Sequence, residues 1–189
     1  MSTERNNVSS RFAKLASMGE IVFHAQDLAN LWGILDKNNL YTTLKRYSQK
    51  GLLHRTYKGL YSIRKIEDID PLLLGIKVIN EFAYISCETV LAENGIIFQN
   101  SSTITIISSK SKKFSLGNKD YQSRKLNNKY LHNMAGIVLE QGYYKANLSR
   151  AVADLLYYNP LYYLDASKLI NWNEVNKIQK EIGYNVITK

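Results

Sequence analysis

The stretch that decides the fold is Asn38-Asn39-Leu40-Tyr41-Thr42-Thr43-Leu44-Lys45-Arg46-Tyr47-Ser48-Gln49, followed by Leu52-Leu53-His54-Arg55-Thr56-Tyr57-Lys58-Gly59-Leu60-Tyr61-Ser62-Ile63-Arg64. At about 100° per residue, Leu40, Leu44 and Tyr47 share one side of a helix. Asn38, Thr42, Lys45 and Gln49 lie opposite, with Tyr41 and Arg46 on the flanks. Gly51 stands where such a helix ends. The next two runs are β-prone and meet at Lys58-Gly59, which predicts a hairpin.

Working outward, residues 10–18 and 24–32 carry apolar positions at helical spacing: Phe12, Leu15 and Ala16, then Leu28, Leu31 and Trp32. Gly19 and Gly33 close them, and Val22-Phe23 is a short strand candidate. Three helices with a short break before the third, closed by a hairpin, are the plan of a winged helix-turn-helix. Its third helix would enter the major groove.

The outward face of that helix suits the role. Asn38, Asn39 and Gln49 can pair with adenine, and Arg46 and Lys45 can donate to guanine. Thr42 can touch a thymine methyl or a phosphate, and Tyr41 adds a hydroxyl. No carboxylate interrupts this face, whereas an ordinary solvated face mixes in Glu or Asp. Arg55 and Tyr57 are expected on one face of the hairpin with Lys58 at its tip, against the backbone or in the minor groove. Arg5, Arg11 and Lys14 are expected to add phosphate contacts.

Charge supports a polyanion partner. The 189 residues carry a net charge of +9. Residues 1–65 hold eleven basic and four acidic residues, while residues 66–189 hold fourteen and twelve. A field concentrated in one part of the chain attracts nucleic acid. The acidic run Glu67-Asp68-Ile69-Asp70, with Pro71 after it, marks a boundary. Two domains are expected, residues 1–65 and 66–189.

The second domain reads as mixed α and β. Helices are expected over 72–82, over 87–93 with Ser86 as N-cap, over 148–158, and from 172 or 173 to 182. Strands are expected at 84–85, 103–108, 114–116, 122–131, 136–141 and 143–146. The fold class is therefore α+β, a winged helix-turn-helix followed by a mixed domain with a small, largely antiparallel sheet.

The motifs of chemistry are missing. There is no phosphate-binding glycine loop, G-x-S-x-G or H-E-x-x-H. Asp68-x-Asp70 reads as a solvated linker rather than a metal pair. His24, His54, His132 and Cys87 stand far apart, with no metal-ligand spacing. Cys87, at an expected helix start, is either a thiol of lowered pKa or a buried small residue. The single cysteine excludes an internal disulfide. The sequence begins MSTERNNVSS, without a signal-type apolar segment, and has no apolar run of about 18 residues. A cytoplasmic protein that is not an enzyme, with no cofactor and no metal, is expected. Tyr157, Tyr158, Tyr162 and Tyr163 cluster near the C-terminal helices as core edges or a partner surface.

Two strings in this second domain resemble a known family. YISCETVLAENGII (84–97) is similar to the Y-I-S-x-x-S-A-L-x-x-H-G-L segment of antitoxins of type IV abortive-infection toxin–antitoxin systems, the AbiE antitoxin family. NLSRAVADLLYYNP (147–160) resembles that family's E-R-A-L-x-D-L-L segment, with Arg150 and Asp154 matching its Arg and Asp. LYTTLKRYSQKGLLHRTYKGLY (40–61) is similar to its winged-helix start. The order of the three agrees, over roughly residues 9–185. Ser149 stands where the family often has Glu. The resemblance implies a transcriptional repressor that binds inverted repeats of double-stranded DNA in its own promoter. It also implies a C-terminal domain that counters a nucleotidyltransferase-like toxin without a stable complex. A monomer or weak dimer, with no membrane partner, is expected. Arg150 and Asp154, four residues apart, are expected to form a helical ion pair worth a few tenths of a kcal/mol if exposed. The alternative is a stand-alone winged-helix regulator with a C-terminal ligand- or partner-sensing domain. A third reading, a nuclease or transferase carrying a DNA-binding domain, lacks a catalytic cluster.

Overall fold

A computed structural model describes residues 2–99 and 102–187, with side chains from residue 8 onward. The chain divides into two units, Met1–Ile69 and Asp70–Lys189. The boundary lies four residues beyond the expected limit, because the 3₁₀ turn Ile66–Asp68 stays with the first unit.

The first unit runs α1 (Ser2–Ser17), β1 (Val22–His24), α2 (Ala25–Trp32), α3 (Lys37–Gln49), β2 (His54–Tyr57) and β3 (Leu60–Ser62). α1 begins eight residues before the expected start at residue 10. Gly33 takes the left-handed conformation that stops α2, at φ 64°. The Asp36 carboxylate then accepts the Asn39 N–H at 2.6 Å and starts α3. The strands form an antiparallel sheet in the order β1-β3-β2. Leu15, Phe23, Leu28, Leu44 and Tyr47 fill the core between helices and sheet. The Tyr47 ring meets Phe12 at 5.5 Å and Trp32 at 5.6 Å.

The second unit begins with α4 (Pro71–Ile79), where Pro71 sits at the first turn and the Asp70 side chain caps the Leu72 N–H. It continues with β4 (Ala83–Ile85), α5 (Glu88–Glu93), β5 (Thr103–Ser108), β6 (Lys112–Leu116), β7 (Lys119–Lys125) and α6 (Asn128–Leu131). β8 (Ile137–Glu140), β9 (Tyr143–Ala146), α7 (Leu148–Tyr158), a 3₁₀ turn (Ser167–Leu169) and α8 (Trp172–Ile182) complete it. One six-stranded sheet runs β6-β7-β5-β4-β9-β8. Its outer pairs and β4/β5 are antiparallel, but β5/β7 and β4/β9 are parallel.

This corrects the expected small, largely antiparallel sheet. The β6–β7 hairpin places its second strand, not its first, beside β5, so the pairing there is parallel. β5 is buried along nearly its whole length, as a central strand is, with Ile104, Ile106 and Ile107 in the core and the buried Ser108 hydroxyl hydrogen-bonded to Ser123 at 2.7 Å. Two local expectations also change. The strand expected over 122–131 ends at Lys125, because the Asn127 side chain accepts the Lys129 N–H and caps α6. Ser86 does not cap α5. Cys87 occupies the cap position at φ 53°, and the Ser86 hydroxyl donates to Asp154 at 2.7 Å.

Candidate nucleic-acid interface

The α3 side chains divide as the wheel requires. Leu40, Thr43, Leu44 and Tyr47 are buried, and Asn38, Asn39, Tyr41, Thr42, Lys45 and Gln49 are exposed. Arg46 is half-buried, its guanidinium 5.6 Å from the centre of the Tyr47 ring. That packing restricts the guanidinium while leaving it at the margin of the exposed face. Asn39 does two things locally: its N–H completes the Asp36 cap, and its Oδ1 accepts from Thr43 at 3.4 Å. Leu35, in the turn before α3, is fully exposed at 100%.

In the hairpin, Arg55 and Lys58 are exposed and Tyr57 is half-buried, with Gly59 at φ 75° making the turn. The strand register slips at Thr56: Arg55 faces Tyr61 and Tyr57 faces Leu60. This bulge interrupts the alternation that was expected to put Arg55 and Tyr57 on one face. Burial raises the Tyr61 phenol above its ordinary pKa, and the neighbouring Arg55 charge opposes that rise.

Lys14 is exposed on α1, and the Arg5 side chain lies outside the described residues. Arg11 departs from expectation. Its Nη1 donates to the Tyr47 hydroxyl at 3.0 Å, and its guanidinium lies 5.6 Å from the Trp32 ring. It ties α1 to the core rather than standing out for a phosphate.

The second unit holds a polar centre instead of an exposed ion pair. Arg150 and Asp154 are both 0% exposed, with Arg150 Nε donating to Asp154 Oδ1 at 2.9 Å. Tyr184 donates to the same oxygen at 2.9 Å, and Ser86 donates to the other. The remaining Arg150 donors reach the Asn133 and Ala135 carbonyls and the Tyr84 hydroxyl. Burial, the largest single influence, opposes the Arg150 charge, but Asp154, Tyr84 and Tyr184 together outweigh it and raise the guanidinium pKa. Burial and the Asp154 charge together push the Tyr84 phenol up. Every member is enclosed, so this network fastens β4, α7 and the C-terminal Tyr184 together rather than meeting a ligand. The resemblance had matched Arg150 and Asp154, but helical spacing alone did not reveal their burial.

Cys87 is fully buried, and burial pushes its thiol pKa up, which removes the reactive reading. Among the described residues, no group of His, Cys, Asp and Glu is arranged to hold a metal ion. No described helix is long and apolar enough to cross a membrane.

One site was missed by the sequence reading. A cleft of about 380 Å³ lies over β6 and β7, lined in part by Lys113, Gln122, Arg124, Lys125 and Tyr158. Its signal was present in the sequence: residues 110–129 hold seven basic residues against one acidic residue.

Compared with known proteins, the chain matches no protein-family model and no curated protein.

Proposed function

We propose that this chain is a DNA-binding antitoxin and autorepressor. Its first unit acts as a winged helix-turn-helix, with α3 in the major groove and the β2–β3 hairpin as the wing. Its second unit counters a nucleotidyltransferase-like toxin and is not itself an enzyme. One observation carries the DNA-binding part: α3 turns Asn38, Tyr41, Thr42, Lys45 and Gln49 outward, with Arg46 beside them and no acidic side chain among them. Hydrogen-bonding groups read base edges, while Lys14, Arg55 and Lys58 supply charge for the phosphates. The antitoxin part rests on the resemblance of residues 84–97 and 147–160 to the abortive-infection antitoxins.

The test uses the promoter of the chain's own gene in a gel shift and the adjacent gene in a survival assay. The full chain should retard promoter DNA in preference to random duplex and restore colony growth when the adjacent gene product is induced. Arg46→Ala, expressed from a foreign promoter, should lose promoter selectivity and still restore growth. Equal binding to random duplex would overturn the repressor reading, and failure of the full chain to protect would overturn the antitoxin reading.

A second reading is a stand-alone regulator whose C-terminal unit senses a ligand. The basic cleft over β6 and β7 favours it. Regulation of a distant gene, with no toxin beside the chain's own, would select it.

A further inference from the structure

We propose that the cleft over β6 and β7 is a phosphate-binding site that takes the phosphate chain of a nucleotide. It lies within the second unit and is independent of the duplex-binding face proposed for the first. Its floor is the face of two neighbouring strands from which Arg124 reaches Glu88 of α5 and Tyr158 of α7. Lys113 of β6 pairs with Gln122 of β7, and Arg124 follows two residues on, so all three project from the same face. Tyr158, at the end of α7, forms part of the wall, and Lys125 lies at the margin. Among the described residues no carboxylate lines the cleft, although Glu88 pairs with Arg124 from outside the lining.

Arg124 is prepared for the role. Glu88 of α5 accepts from its Nη2 at 2.6 Å, and its guanidinium lies 5.6 Å from the Tyr158 ring centre. The Tyr158 hydroxyl is in turn fixed on the Lys125 carbonyl at 2.9 Å. Glu88 is itself positioned, accepting from Thr105 Oγ1 at 3.2 Å. A guanidinium held by a carboxylate and a ring loses little freedom when a phosphate arrives, and its fork suits phosphate oxygens.

A simpler account assigns the cations to protection of a sheet edge. β6 is an edge strand, and lysines there discourage pairing with another chain. That covers Lys112 and Lys113. It does not cover Lys125, because β7 is enclosed between β6 and β5, whereas Arg124 is accounted for by its ion pair with Glu88. Lys125 on an interior strand, with Lys113 in the lining of the same cleft, leaves positive charge for an anion to meet.

Size and chemistry narrow the anion. The volume lies at the lower end of ordinary small-ligand sites, about 300–1,000 Å³, and takes a nucleotide or a short single strand rather than a duplex. The Arg124 guanidinium already lies over Tyr158, so recognition falls on phosphates and not on a stacked base.

The experiment is calorimetric titration of the full chain at about 0.15 M ionic strength, where diffuse surface attraction is screened beyond about 8 Å. The probes are ATP, CTP, pyrophosphate, an oligothymidylate single strand and sulfate. ATP and CTP should bind alike and pyrophosphate comparably, with sulfate much weaker. Lys113→Glu combined with Lys125→Glu should weaken triphosphate binding by at least about tenfold through charge reversal. Both substituted residues are exposed, so circular dichroism and duplex retardation should be unchanged. Triphosphate binding tighter than oligothymidylate assigns a free nucleotide. The reverse order, lost in the same variant, assigns a single strand. The proposal is overturned if no phosphate probe binds, or if the double variant binds as the parent does. Loss of promoter selectivity in Arg46→Ala, with triphosphate binding intact, keeps this site distinct from the DNA-binding reading.

Discussion

Replacing Asp154 with alanine tests how the second unit is held together. The carboxylate accepts three hydrogen bonds, from Arg150, Tyr184 and Ser86, in a site where both charged partners are 0% exposed. Asp154→Ala strands the Arg150 charge away from water and leaves two hydroxyls short of an acceptor. Breaking a buried pair from one side costs about 3–5 kcal/mol, against a total domain stability of about 5–15 kcal/mol. With a urea slope of about 1–3 kcal/mol/M, the unfolding midpoint should fall by at least about 1 M. The chain provides a reporter for each unit, Trp32 in the first and Trp172 in the second. Urea titration followed by fluorescence in a Trp32→Phe background reads the second unit, and a Trp172→Phe background reads the first. The expected result is a large drop for Trp172 and little change for Trp32. A shift equivalent to only about 0.3–0.5 kcal/mol, the worth of an exposed helical pair, would refute the buried network.

Arg46→Ala or Asn38→Ala should cost about 1–3 kcal/mol on the promoter and relax selectivity in a competition gel shift. Lys58→Ala should weaken promoter and random duplex alike and flatten the plot of log affinity against log salt by about 0.9. Stability should fall above about pH 10, where free tyrosines ionise. Burial raises the pKa values of Tyr84, Tyr158 and Tyr184 and pushes Tyr121 up to about 12, so the folded chain keeps protons that the unfolded chain loses. Their contribution is intact below pH 10 and is lost as the pH climbs from there, as urea midpoints at about pH 8 and 10.5 would record. Gly136→Ala should destabilise the second unit by more than about 1 kcal/mol, read as a lower urea midpoint. Gly136 sits at φ 70°, and an added Cβ would lie 2.7 Å from Arg150 Cβ.

The first unit was legible because its signals are local. The Leu40, Leu44 and Tyr47 spacing, the glycine at 33 and the Lys58-Gly59 turn each act within a few residues. The periodicity that buried Tyr47 also put Asn38, Thr42 and Lys45 outside. Arg11 escaped this logic, because its partner Tyr47 is 36 residues away and its own spacing says only that it lies near a helix surface. The second unit was legible in its elements and not in its sheet. The pattern of residues 103–108 declares a strand, but nothing in it states that β7 rather than β6 will lie alongside. Ser86 has the chemistry of a helix cap, yet Asp154, 68 residues later, takes its hydroxyl. Partners this far apart are chosen by packing, which leaves no short-range mark.

The basic cleft was hidden for a different reason. Residues 66–189 average to a net charge of +2, which reads as neutral ground beside the +7 of residues 1–65. That average combines +6 over residues 110–129 with −4 over the remainder. Folding does not average charges along the chain. A hairpin places alternate residues of adjacent strands on one face, so Lys113 and Arg124, eleven positions apart, converge on one cleft, while Asp120, farther along the same face, accepts from the Ser115 hydroxyl at 2.6 Å. The scale on which charge acts is the strand pair and the Debye length of about 8 Å, not the domain. Read over strand-length windows, the chain has two basic centres, one on α3 with its hairpin and one on β6 and β7. The first presents its groups on the exposed face of a helix, the geometry that the proposed major-groove reading uses. The second lies in a cleft over a strand pair, a shape that the proposed phosphate ligand fits and a duplex does not.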